Sequence, residues 1–332
     1  MSRAAAPGAG RRTHPETRID FAVETLDVVN LDNAGPDGLL AGHDLMSPYV
    51  WDRKGRRNLL VRVLKNPLGP DDPTGVIYAG SSTDGLNFAM QDQPAISPGP
   101  DEVDAAGVED PTVVLSGQQI MVFYTGVEKG RTQGSLLVAS GPDLAHLSKQ
   151  KVLLKAREGE GNVKEATVAR GADGRYRLFY EYAAEFGDGA DGKAAASRIG
   201  MAVAEQLEGP WEVTDDPFTV RDAAWDNWHL STGPILARTG QPPVMFYNGA
   251  TLDARWRIGW IAFDENFTTV VDRCIEPLIV PPPPPLRSGT DIAFAASCVD
   301  RGEDVHLYFS LEDRVLRRAC LACLAPVGRA HE

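Results

Sequence analysis

Gly107-Val108-Glu109-Asp110-Pro111-Thr112-Val113-Val114-Leu115, answered after a short turn by Ile120-Met121-Val122-Phe123-Tyr124-Thr125-Gly126, reads as a hairpin with an acidic pair at its mouth. The β-branched and aromatic runs favour strands, and Ser116-Gly117 supplies turn chemistry between them. Pro111 fixes the backbone just behind Asp110, so this carboxylate is aimed from a rigid element, as general acid catalysis requires. An aspartate at a strand start also serves by bonding nearby amides, and the stretch alone leaves both roles open.

The same kind of segment recurs about every 60 residues: Leu59 to Val63, Met121 to Gly126, Arg177 to Tyr182, Val244 to Gly249 and Val305 to Ser310. A strand-like run precedes each one: Ser47 to Trp51, Pro111 to Leu115, Ala166 to Arg170, Gly233 to Arg238 and Ile292 to Val299. Another follows: Val76 to Ser82, Gly134 to Ser140, Ile199 to Ala204, Ile258 to Phe263 and Val315 to Leu321. Turn residues such as Arg53-Lys54-Gly55 and Ala172-Asp173-Gly174 join the first two strands. Repeated antiparallel units that cannot bury their own faces must stack, and closing the stack into a ring removes exposed edges. The pattern predicts an all-β chain, a five-bladed β-propeller over 19–332, with 1–18 as a disordered tail. No stretch carries sustained helical periodicity, so at most a turn or two of helix is expected.

Lysine and arginine number 33 against 46 aspartates and glutamates, a formal charge of −13, which argues against nucleic acid and anionic membrane as partners. A small neutral carbohydrate is compatible with that balance, and nothing in the composition opposes a homo-oligomer. The first residues lack the apolar core of a signal peptide, and no run approaches the roughly 18 apolar residues of a membrane span, so a cytoplasmic location is expected. Four cysteines, Cys274, Cys298, Cys320 and Cys323, do not suggest a disulfide framework and are read as buried structural thiols; no metal is expected.

In such an architecture the innermost strands converge, and polar residues at their entrances face a common ligand. Those entrances carry His43-Asp44, Glu109-Asp110, Lys164-Glu165, His229 with Ser231 and Thr232, and Asp291. Acids and hydroxyls also cap strands, but five polar entrances into one funnel favour a ligand site. Trp228-His229 suits a sugar, with an aromatic face for the ring and a polar group for its hydroxyls. Tyr124, Tyr247 and Tyr308 are read as packing between units, and Asp84-Gly85 as a turn. Pro281 to Pro285 reads as a stiff linker, and Glu185 to Lys193 as a solvated insertion.

At this point the residues resemble glycoside hydrolase family 130, the β-mannoside phosphorylases and β-mannosidases. Ile77 to Phe88 is similar to the family's strand and S-x-D-G-x-x-F turn, Gly107 to Pro111 to its G-x-E-D-P signature, and Lys164-Glu165-Ala166 to its Lys-Asp or Lys-Asn step. Phe246 to Gly249, Arg257-Ile258-Gly259 and Glu276 to Pro281 resemble the family's later segments. The resemblance implies a five-bladed propeller, Asp110 as general acid, an inverting mechanism and no cofactor, with inorganic phosphate as co-substrate in phosphorylases. Asp313 falls near an aspartate that the family carries after its last repeat. The family's phosphorylases hold phosphate with an arginine directly after E-D-P and a His-Arg pair on the third blade. Here those places read Thr112 and Tyr180-Glu181-Tyr182. Losing cations and gaining a carboxylate favours water activation, so hydrolysis is the reading, with Glu181 or Glu165 as base. Arg62 and Lys164 remain basic and keep phosphorolysis as the alternative. A furanosidase of the kind in families 43 and 32, with Asp44 catalytic, and a noncatalytic sugar-binding propeller are the other readings.

Overall fold

The structure, a computed structural model, describes residues 19–35, 37–189, 192–283, 286 and 289–324, and it leaves aside the side chains of 185–194. The expected tail at 1–18, the tip of the segment at 185–193 and the end of the proline run lie outside the described residues. Strand follows strand from Phe21–Val28 to Val315–Cys323, and the one helical element among the described residues is a 3-10 turn at Glu102–Asp104. The all-β expectation is therefore met. No described helix is long and apolar enough to cross a membrane.

The repeat found in the sequence appears as antiparallel strand groups. Units one, two, three and five begin with the hairpins His43–Arg53/Arg56–Lys65, Gly107–Ser116/Gln119–Val127, Glu160–Arg170/Tyr176–Gly189 and Ala293–Asp300/Asp304–Leu311. The fourth is divided into two short sheets, one built on His229–Ser231 and Asn248–Ala250, the other on Ile235–Leu236 and Val244–Met245. Each unit also has an outer strand that the sequence pattern did not reveal: Asn87–Ile96, Ser148–Leu154, Glu212–Val213 and Val270–Arg273 in the first four. In the fifth, this place is taken by Phe21–Val28, which pairs antiparallel with Val315–Cys323 from the other end of the chain. These outer strands are largely solvated, so they lack the apolar alternation that marks a strand in sequence.

The core lies between units rather than within them. Trp51, Leu60 and Ile77 of the first unit pack with Val113, Val122 and Tyr124 of the second, and Met121, Phe123 and Leu136 of the second pack with Leu178 and Tyr180 of the third. Burying side chains of this size contributes about 1.5–3 kcal/mol each, which is what couples neighbouring sheets. Tyr124, Tyr180, Tyr247 and Tyr308 are all fully buried, which agrees with reading Tyr124, Tyr247 and Tyr308 as packing residues.

Side chains stitch each unit to the next. Tyr49 donates to the Val113 carbonyl (3.0 Å), Thr112 to Ala166 (2.6 Å) and Thr167 to Gly233 (3.1 Å). Asn248 donates to the Ala295 carbonyl (3.2 Å), and Ser297 to the Pro48 carbonyl (2.7 Å), which returns the series to the first unit. Asp84-Gly85 does serve a turn: Asp84 Oδ1 accepts from the Leu86 and Asn87 amides. Gly85 sits there at φ +75°, where a Cβ would fall 2.5 Å from the Tyr308 hydroxyl.

Candidate active site

The register of the first strands of three units slips at one equivalent place, between Met46 and Tyr49, Glu109 and Thr112, and Lys164 and Thr167. The slipped residues Ser47, Asp110 and Glu165 take the left-handed conformation, with φ of 51°, 51° and 55°. For non-glycine residues this backbone is costly, and a bulge re-aims the side chain it carries. The same device thus acts on a hydroxyl and two carboxylates in successive units. The repeat held the signal for Ser47, which sequence reasoning passed over: Ser47-Pro48 stands where the second unit has Asp110-Pro111.

Asp110 is buried. Its Oδ1 accepts from Ser47 Oγ at 2.7 Å and lies 3.4 Å from the Arg62 guanidinium, while its Oδ2 is enclosed without a hydrogen-bond partner. Arg62 also pairs with Glu109 at 2.7 Å and donates to the Thr74 carbonyl at 2.9 and 3.2 Å. Burial raises the Glu109 carboxyl above its usual range, against the pull of Arg62. Glu165 stands well above that range, first through burial and then through the neighbouring Asp110 charge. Its main chain is held at both ends: its amide donates to Thr125 Oγ1, and its carbonyl accepts from buried Thr232.

Glu181 is buried on the strand facing Lys164, its register partner. Its Oε1 lies 3.5 Å from Lys164 Nζ and accepts from Ser197 Oγ at 2.8 Å. Glu181 first among its neighbours keeps the lysine firmly charged. Ser197 N also donates to His229 Nδ1 at 3.1 Å, and burial lowers the imidazole below its ordinary pKa. Asp313 lies in the same field: burial raises its carboxyl, opposed by Arg62 and reinforced by Asp110.

The remaining expected residues are engaged in other contacts. Asp44 is tied to Asn66 (3.0 Å) and Arg314 (3.6 Å), and Asp291 to Arg257 (2.6 Å). Trp228 contributes its carbonyl to Arg198, and the Trp256 ring lies tilted against His229, with centroids 5.5 Å apart. Phe294 meets Trp256 edge-on at 5.4 Å. Trp256 and Phe294 fall outside the hairpin mouths, so the repeat gave no reason to choose them. Thr112, read in sequence as a lost cation, is a stitch to the third unit. The thiols need correction: only Cys274 is buried, and Cys298, Cys320 and Cys323 are half-buried. Cys320 and Cys323, three apart on one strand, point to opposite faces.

No protein-family model matches the chain. Over 97 residues, 28% of this chain and 27% of the relative, it is 26% identical to a β-1,2-mannobiose phosphorylase from Listeria innocua. The chain thus matches about a quarter of that relative's length. In structure it is similar to the Listeria innocua β-1,2-mannobiose phosphorylase in complex with β-1,2-mannobiose, with TM-score 0.71 and 17% identity over 90% of this chain and 96% of that one. A second structure comes from work on glycoside hydrolases, within the GH130 family of mannoside phosphorylases, that target β-1,2 mannosidic linkages in Candida mannan. It matches with TM-score 0.70 and 19% identity over 97% and 98% of the two chains. A glycosyl hydrolase from Bacteroides ovatus matches with TM-score 0.69 and 19% identity over 93% and 96%. At these identities the shared property is the fold.

Proposed function

We propose that this chain, whose motifs and fold both resemble glycoside hydrolase family 130, is a five-bladed β-propeller enzyme acting on a β-mannoside or a related short oligosaccharide. The observation that carries the reading is Asp110. It is a buried carboxylate on a strained bulge, with one oxygen anchored by Ser47 and Arg62 and the other unpartnered. A carboxyl placed in this way can carry a proton to the departing glycosidic oxygen while a nucleophile attacks from the opposite face. The ring closure is supported by the stitches that run through all five units and return from Ser297 to Pro48. Ser47, Arg62 and Glu109 serve the acid, and Lys164, Glu165, Glu181, His229, Thr232 and Asp313 form the rest of the pocket. Asp44, Asp291 and Trp228 belong to its rim.

For the nucleophile, the relatives favour inorganic phosphate, because a β-1,2-mannobiose phosphorylase resembles the chain in both a stretch of sequence and the fold. Phosphorolysis therefore stands ahead of the hydrolysis expected from the motifs. In that reaction a phosphate oxygen forms the new bond to the anomeric carbon, the glycosidic C–O bond breaks, and Asp110 protonates the leaving oxygen. Hydrolysis is kept as a second reading by one observation: Arg62 and Lys164 are already paired with Glu109, Asp110 and Glu181, which leaves little free positive charge for a phosphate. Glu181 or Glu165 would then activate water.

Turnover of short β-mannosides with and without inorganic phosphate separates the two. Sugar 1-phosphate formed only with phosphate is the expected result. Free mannose formed equally without phosphate would establish hydrolysis, and absence of both products across the panel would sink the mannoside reading.

A further inference from the structure

Ser197 was not visible as a site residue in the sequence, yet it contacts two candidate residues at once. In the hairpin Tyr176–Gly189/Gly192–Ala204, Glu181 stands opposite Ile199 and Ala183 opposite Ser197. Side chains two positions apart share a face, so Ser197 lies diagonally across from Glu181 on the same side of the sheet. From there its hydroxyl reaches Glu181 Oε1 at 2.8 Å, and its backbone amide reaches His229 Nδ1 on the fourth unit at 3.1 Å. The next residue secures this arrangement: Arg198 donates to the Ser197 carbonyl at 2.9 Å and to the Trp228 carbonyl at 2.6 Å, fastening the third unit to the strand entrance that carries His229.

We infer that Ser197 is a positioning residue that fixes Glu181 and His229 relative to one another and holds His229 as the tautomer with its proton on Nε2. The chemistry follows from donor and acceptor roles. A backbone N–H can only donate, so Nδ1 must present its lone pair and the proton resides on Nε2. Protonating Nδ1 would set two N–H groups against each other. The charged groups that act on the ring are Glu181 on its strand, Arg198 on the neighbouring strand and Lys164 on the innermost strand; burial, the largest influence, favours the neutral ring. His229 is thereby a standing neutral donor beside a carboxylate whose Oε1 is engaged by Lys164 and Ser197. The inference rests on the pocket just proposed, but its first test does not.

Nitrogen-15 correlation spectra of the imidazoles at neutral pH, with the His229 signals identified by their loss in His229→Gln, should show the Nε2–H pattern. An Nδ1–H or doubly protonated ring would overturn the inference. Ser197→Ala keeps the backbone amide and removes the hydroxyl. It should lower kcat/KM about tenfold, the scale of one hydrogen bond to a charged group, without changing the thermal midpoint, and Ser197→Thr should restore it. Unchanged kcat/KM in Ser197→Ala would overturn the link to Glu181. If no mannoside is turned over, the proposed function fails separately. Ser197→Ala is then read on the carbon-13 resonance of the Glu181 carboxylate, which moves if the hydroxyl bond exists and stays if it does not.

Discussion

Two buried aspartates of this molecule have opposite surroundings. Asp226 is completely buried and saturated: Arg221 grips it through both oxygens at 3.1 and 3.0 Å, the Tyr247 hydroxyl reaches it at 2.6 Å, and Arg273 at 2.5 Å. Arg273 lies in turn over the Phe218 and Tyr247 rings, 4.8 and 4.9 Å from their centroids. Asp110 is nearly as buried, but it is engaged through one oxygen only and sits on a backbone that an aspartate adopts at a cost. A carboxylate with both oxygens engaged by charged and hydroxyl donors holds structure together. One with an unoccupied, desolvated oxygen contributes little to holding the fold and is available to an incoming group. Asp104 belongs with Asp226, since Tyr124 and Lys149 both close on it.

The contrast predicts opposite outcomes for the same chemical change. Asp110→Asn should cost about 10²–10⁴ in kcat, the range of a lost general acid, with the thermal midpoint held or raised. A variant that retains turnover would place the acid elsewhere. Asp226→Asn should leave kcat of the folded protein near its original value but destabilise it by about 3–5 kcal/mol, because Arg221 and Arg273 would face each other without their counter-ion. Denaturant titration measures this, and a midpoint matching the parent would show that the clamp is idle.

The smallest effect concerns Glu165. A carboxyl whose pKa is higher in the folded than in the unfolded chain binds its proton more tightly when folded. The stability it lends is complete below the unfolded value near 4.3 and is lost as pH rises through the folded value. Glu165→Gln, which cannot ionise, should therefore raise the thermal midpoint at alkaline pH and leave it unaltered near pH 4. A midpoint difference that does not depend on pH would remove Glu165 from the electrostatic field of Asp110.

Most of the hairpins and their order were legible because each carries an apolar-aromatic run next to turn residues, and burial on both faces keeps such runs readable. Glu109, Asp110, Lys164 and Glu165 were legible for the same reason, since they stand at fixed offsets from those runs. Ser197 was not, because its value comes from a diagonal across a strand pair, and diagonals leave no trace in spacing. Trp256 was missed because it lies in a loop between strands of the divided fourth unit. Arg62 and Lys164 were legible as basic, with phosphate and the nearby acids both open as partners: a sequence shows a charge and not which carboxylates neutralise it.

The pairing of Phe21–Val28 with Val315–Cys323 sets a schedule for synthesis. Asp27 and Arg318, joined at 2.8 Å, are 291 positions apart in the chain. At ribosomal rates that separation takes on the order of 15 to 60 s to translate. Throughout that interval the early strand lacks Val315–Cys323 as partner for its backbone, and for most of it Phe21 has no Trp260 to pack against. The strand that seals the fifth sheet is thus made first and used last, and until then it is an open sheet edge to which any other extended chain can add.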